Sequence, residues 1–131
     1  MSLFLIDSDI LIDIDRQFPP ALRWIQCLTE YPPISGVTSL ELCFGASSKD
    51  RLRKVRALIR PFPVIWPSAT DMRLVLADYP DLNLRHGIGL LDALIAVTAI
   101  GHGLDLATFN SKHFSQIPGI KIIEPYTRAA S

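Results

Sequence analysis

Short apolar runs alternate along the chain with longer stretches in which apolar residues return every three or four positions, predicting strands interleaved with helices. Residues 3–6 form a continuous apolar run, as in a strand buried on both faces, and Asp7-Ser8-Asp9 then supplies side chains suited to capping a helix. Pro19 and Pro20 suit a helix start, and Leu22, Ile25 and Cys27 or Leu28 extend its stripe until Pro32 and Pro33. Residues 34–37 read as a second strand. Residues 38–46 read as a helix opened by the capping-box sequence Thr38-Ser39-Leu40-Glu41 and closing near Gly45. Over residues 49–60, Leu52, Val55 and Ile59 share one side while Lys49, Arg53, Arg56 and Arg60 share another, giving a basic amphipathic helix. A brief strand at 64–66 leads to a helix that opens at Ser68, repeats Met72, Val75, Leu76 and Tyr79, and ends or bends at Pro80. Residues 81–89 then read as loop. Residues 90–100 are apolar nearly all round and belong in the middle of the domain, with Gly101 and Gly103 closing that helix. Strands at 104–109 and 121–123 flank a short helix at 111–114.

This order predicts an α/β fold: a three-layer α/β/α sandwich around a mainly parallel sheet of four to five short strands. At 131 residues the chain suits one domain, 1–131, with 127–131 expected as a flexible tail. Hydrophobic residues at 49% and charged residues at 20% exclude a disordered chain. Thirteen Lys and Arg balance 13 Asp and Glu, so affinity for nucleic acid must come from local patches. The first six residues lack the length and basic flank of a secretion signal, and Asp92 interrupts the longest apolar run; a soluble cytoplasmic protein that binds no membrane is expected. Cys27 and Cys43 have no neighbour at metal-ligand spacing and read as free buried thiols.

In a parallel α/β sheet the helix starts that follow the strands share one edge, so Asp7, Glu41 and Asp92 are expected to meet there, with Asn110 beside them. Each has a plain structural explanation. Asp7 and Asn110 suit helix caps, Glu41 completes a capping box, and Asp92 complements a helix dipole, an effect worth roughly 0.3 to 1 kcal/mol. For Asp92, alone among Leu90, Leu91, Ala93, Leu94 and Ile95, that gain is smaller than the several kcal/mol, on the order expected, that an unpaired buried carboxylate costs. Jointly, three acids and a carboxamide at four such positions point to a hard cation, Mg²⁺ or Mn²⁺ rather than zinc. His86, His102 and His113 lack paired ligand spacing and read as surface or loop residues. Asp9 reads as a supporting group to Asp7, Asp13 and Asp15 as solvent-facing, and Asp105 as lying at the opposite sheet edge.

The segments Phe4-Leu5-Ile6-Asp7-Ser8-Asp9, Ser39-Leu40-Glu41-Leu42-Cys43-Phe44-Gly45, Leu91-Asp92-Ala93-Leu94-Ile95-Ala96 and Thr108-Phe109-Asn110-Ser111-Lys112-His113-Phe114 together resemble the motifs of PIN-domain ribonucleases, in particular VapC-type toxins of prokaryotic toxin-antitoxin pairs. The resemblance covers nearly the whole chain. It implies a metal-dependent endoribonuclease in which Asp7, Glu41, Asp92 and Asn110 are the catalytic and metal-holding residues, with Thr108 and Ser8 bonded to ligands or waters. It also implies an RNA substrate, a cognate antitoxin and a homodimer. Asn110 replaces the fourth carboxylate of more acidic members, and Phe109 stands where a polar or basic residue is common. The basic helix at 49–60 suits either RNA phosphates or a docked partner. Two rivals stand beside this reading: a catalytically silent PIN-like module that binds RNA or protein, and a phosphatase like the haloacid dehalogenases, suggested by Asp7-Ser8-Asp9. The latter lacks a placeable downstream Lys and late acidic pair.

Overall fold

Apolar runs this short can only make short strands, and the computed structural model, which describes residues 3–128, contains five of them. They are β1 (Phe4–Ile6), β2 (Ile34–Ser35), β3 (Val64–Ile65), β4 (Asp105–Ala107) and β5 (Ile122–Ile123). All pair in parallel, in the order β3-β2-β1-β4-β5. Because side chains alternate across a strand, Leu5 and Leu106 enter one core while Ile6 and Ala107 enter the other. The first core gathers residues of α3 (Gly36–Phe44), α5 (Ala69–His86), α6 (Leu90–Gly101) and α7 (Ser111–Phe114). The second gathers residues of α1 (Ser8–Asp15), α2 (Pro19–Cys27) and α4 (Lys49–Ile59). The expected three-layer parallel α/β architecture is therefore present, with both sheet faces covered.

Register fixes where the chemistry gathers. Ile6 is paired with Ile34 on one side and Ala107 on the other, so β1, β2 and β4 end side by side. Asp7, Gly36 and Thr108 follow these ends directly. The chain turns to opposite sides of β1 to form β2 and β4, and such a switch point leaves a crevice at the carboxyl edge of the sheet. Asp105, paired with Phe4, lies at the other edge as expected.

Several local expectations are corrected. The second strand stops at Ser35, two residues early, because the Ser35 hydroxyl accepts the Val37 N–H at 3.2 Å and starts α3 at Gly36. Gly36 is required there: a Cβ would lie 2.2 Å from the Trp66 ring. Thr38 is thus a buried residue inside α3, and the Thr38–Glu41 capping box does not exist. Helix α5 runs through Pro80 to His86, so residues 81–86 are helix, not loop. The bond Pro80 omits is to the carbonyl of Leu76, a residue 78% exposed and within reach of water, while Val75, Tyr79 and Leu82 keep one buried stripe across the proline. Gly87, at φ 72°, then ends the helix in the left-handed conformation. Cys27 is exposed and Cys43 half-buried, so the thiols are free but not buried. Asp13 is buried, not solvent-facing, and Asp15 is bonded to Arg51 at 2.7 Å. Arg128, within the stretch expected as tail, is bonded to Asp13 through Nε at 2.9 Å; residues 129–131 lie outside the described residues.

Candidate active site

Asp7 leaves β1 at the switch point and is 5% exposed. Its Oδ1 accepts the Ser8 N–H at 2.8 Å, the capping bond expected of it, and its Oδ2 accepts the Thr108 hydroxyl at 2.8 Å. Burial nevertheless pushes its pKa up to about 7, with the charges of Asp9 and Asp92 adding to the rise against those two hydrogen bonds. Asp9, in the first turn of α1, also lies above its ordinary value through burial, although it accepts the Phe109 N–H at 2.8 Å. Its other oxygen is buried without a hydrogen-bond partner among the described residues. This cost belongs to a structure in which something further is expected to meet the carboxylate.

Glu41 sits in the second turn of α3, away from the cap. Burial raises its pKa, the charge of Asp92 raises it further, and a hydrogen bond from the Ser8 side chain opposes both. Asp92, in the first turn of α6, is only half-buried: its side chain is 30% exposed, so the isolation expected among apolar neighbours is relieved. Its Oδ2 lies 3.0 Å from His113 Nδ1. Asn110 holds the N-cap position of α7 without making a side-chain cap bond. Its N–H instead donates to Thr108 Oγ1 at 3.0 Å, and its carboxamide nitrogen lies 3.4 Å from His113 Nδ1.

Asp7, Glu41 and Asp92 are thus brought into one electrostatic unit, with Asn110 at its rim. His113 joins them, against the expectation that it is an unconnected surface residue. Its signal was the three-residue spacing from Asn110, which puts both side chains on one face of a helical turn. Among the described residues no three His, Cys, Asp or Glu side chains converge closely enough to cage an ion as they stand. The donor chemistry fits one even so: carboxylates held above their ordinary pKa by burial, with the charge of Asp92 adding at Asp7 and Glu41, and an orphaned oxygen on Asp9, are the features that a hard divalent cation would relieve. A larger cavity of about 460 Å³, lined by Val75, Tyr79, Pro80, Leu84, Ile88 and Leu90 among others, is apolar and holds none of these acids.

The profile of the PIN domain matches residues 4–120, which spans every element carrying the site. The chain belongs to the PIN-domain family. It is 35% identical over 127 residues to Ribonuclease VapC10 of Mycobacterium tuberculosis, a match covering 91% of each chain. Its fold is similar to that of a toxin-antitoxin complex from Klebsiella pneumoniae, at TM-score 0.72 and 30% identity over 94% of this chain and 98% of that one. It is also similar to the DNA-bound VapBC of Salmonella typhimurium, at TM-score 0.78 and 26% identity over 94% and 98%. Within the PIN-domain family, the VapC ribonucleases are therefore its kin.

Proposed function

We propose that this PIN-domain protein is a VapC-type toxin, an endoribonuclease that hydrolyses RNA phosphodiester bonds with Mg²⁺ or Mn²⁺ held by Asp7, Glu41, Asp92 and Asn110. The observation that carries the reading is the burial of Asp7 and Glu41, which raises both carboxyls while the charge of Asp92 acts on each, at the switch point of a PIN fold. When bound, a divalent ion supplies the positive charge that makes water a better nucleophile and offsets charge building on the phosphate. The chain's own residues do the rest. Thr108 and the Ser8 N–H fix both oxygens of Asp7, so its carboxylate meets a ligand in one orientation. Ser8 holds Glu41 by its side chain, and His113 braces Asp92, so each acid is oriented by a neighbouring donor. Asn110 contributes a neutral oxygen at the rim, which keeps the charge of the set lower than four acids would.

The VapC10 relative is a ribonuclease and the Klebsiella structure is a toxin-antitoxin complex, which supports an RNA substrate and a cognate antitoxin here. Exposed Phe44, at 86%, with Leu84 and Leu90, supplies apolar surface for an antitoxin or a second copy of the chain. Among the described residues no helix is long and apolar enough to cross a membrane, and we place the protein's action in the cytoplasm.

The test is calorimetric titration of metal-free, partner-free protein with Mn²⁺, wild type against Asp92→Asn, with RNA cleavage followed in the same samples. The wild type is expected to bind metal and cut RNA, and the variant to lose both. A wild type that binds no metal and cuts no RNA returns the protein to the silent binding module.

A further inference from the structure

Three acids concentrate negative charge where a phosphate of RNA must come to rest, so the polyanion needs positive charge placed next to them. On the basic helix α4 three of the cationic side chains are already engaged by acids, and none of its residues lines the cavity that adjoins Asp92 through His113. Arg51 is bonded to Asp15, and Arg53 and Lys54 are both engaged by Asp50. Arg128 is likewise committed to Asp13.

A different feature sets donors beside the centre. His86, Asn110, Lys112, His113 and Gln116 line a cavity of about 320 Å³. No carboxylate lines it, and every lining side chain is of a type that donates N–H bonds. It adjoins the acids through two of its lining residues, Asn110 and His113, with His113 Nδ1 3.0 Å from Asp92. The wall is fixed from behind as well: His113 Nε2 meets the Gly87 carbonyl at 3.1 Å, tying α7 to the turn that ends α5. Lys112 and His86 are exposed, and Lys112 forms no ion pair among the described residues. The volume stands at the lower end of small-ligand sites, enough for one nucleotide unit and too small for a folded partner.

We propose that this cavity is the subsite for the nucleotide adjoining the scissile phosphate, with the Lys112 ammonium pairing with its phosphodiester and His86 and Gln116 meeting its sugar or base. The assignment rests on the ribonuclease reading above, and its test separates the two. A labelled single-stranded RNA is titrated with wild type, Lys112→Ala and Lys112→Arg in EDTA at several NaCl concentrations, followed by anisotropy. Cleavage kinetics in Mn²⁺ are measured alongside. Loss of one phosphate contact is expected to lower the slope of log affinity against log salt by about 0.7 in Lys112→Ala and to weaken binding about fivefold at low salt. Lys112→Arg should restore both, and cleavage by Lys112→Ala should show raised KM with kcat retained. A wild type that cuts RNA while Lys112→Ala leaves slope and KM unchanged removes the subsite and leaves the ribonuclease standing. A wild type that binds RNA through Lys112 but cuts none removes the ribonuclease and, with it, the scissile phosphate, leaving the cavity as an RNA-binding site only. If Lys112→Ala spares RNA and instead weakens an antitoxin, the cavity is a protein-docking feature and the proposal falls.

Discussion

The single proton of the Thr108 hydroxyl faces two carboxylates, Asp7 at 2.8 Å and Asp9 at 3.3 Å, while its oxygen accepts the Asn110 N–H at 3.0 Å. One fully buried side chain therefore ties the acid after β1 to the residue that begins α7. Valine has nearly the same shape but neither donor nor acceptor, so Thr108→Val isolates this contribution. Loss of a hydrogen bond to a charged group, with the Asn110 N–H left unpaired, is expected to cost about 2 to 3 kcal/mol of unfolding free energy at neutral pH. Thr108→Ser should recover most of it, because the hydroxyl is what the site uses. Urea denaturation of the three proteins decides the matter, and equal stability of wild type and Thr108→Val would show that water replaces the hydroxyl at no cost.

At the scale of elements, the patterns that periodicity reports best were legible: the order of strands and helices, the parallel sheet, and the sheet edge near which Asp7 and Glu41 come under the charge of Asp92. What escaped was decided by contacts distant in sequence. Two adjacent capping candidates, Ser35 and Thr38, compete to start α3, and Ser35 prevails where Gly36 lets Trp66 lie against the backbone, a contact that local propensity does not encode. Pro80 reads locally as a stop, yet α5 continues because packing of Val75, Tyr79 and Leu82 outweighs one lost backbone bond. Asp13 reads as a solvent-facing acid until Tyr126 and Arg128, more than a hundred residues away, are seen to hold it. The cap correction makes a prediction at this scale. Ser35→Ala should cost about 1 kcal/mol or more, since it removes the cap and a hydroxyl contact with Thr98, whereas Glu41→Ala, which would abolish a Thr38–Glu41 capping box, should cost no cap bond at all. Thermal melting at matched pH compares them. A large loss in Glu41→Ala and none in Ser35→Ala would restore Thr38 as the working cap.

Across the whole molecule, two buried aspartates pull the pH dependence of stability in opposite senses. Burial raises the pKa of Asp13, but hydrogen bonds from Arg128 and Tyr126 outweigh it and hold the group below its ordinary 3.8. A depressed acid contributes stability that is present above the unfolded value and is lost as pH falls through the folded one, so the Asp13 clamp weakens in strong acid. Asp7 is the reverse case. Raised from 3.8 to about 7, it contributes stability that is complete below 3.8 and lost as pH climbs through 7, and Asp9 and Glu41 are shifted in the same direction. The contribution lost at Asp7 is on the order of 4 kcal/mol. Metal-free protein should therefore be most stable near pH 4 to 5, the region bounded by these shifts, and weaken toward pH 8. A divalent cation binds only the ionised acids, so it should restore stability where the loss is greatest: about 3 kcal/mol at pH 8 when Mn²⁺ is at a hundred times its Kd, and little at pH 4.5. Asp7→Asn should flatten the metal-free profile and remove most of the Mn²⁺ effect together. Melting curves of both proteins across this range, with EDTA and with Mn²⁺, test the coupling directly. Equal stabilisation by Mn²⁺ at both pH values, or a profile unchanged by Asp7→Asn, would mean that the cation is held elsewhere than at the end of β1.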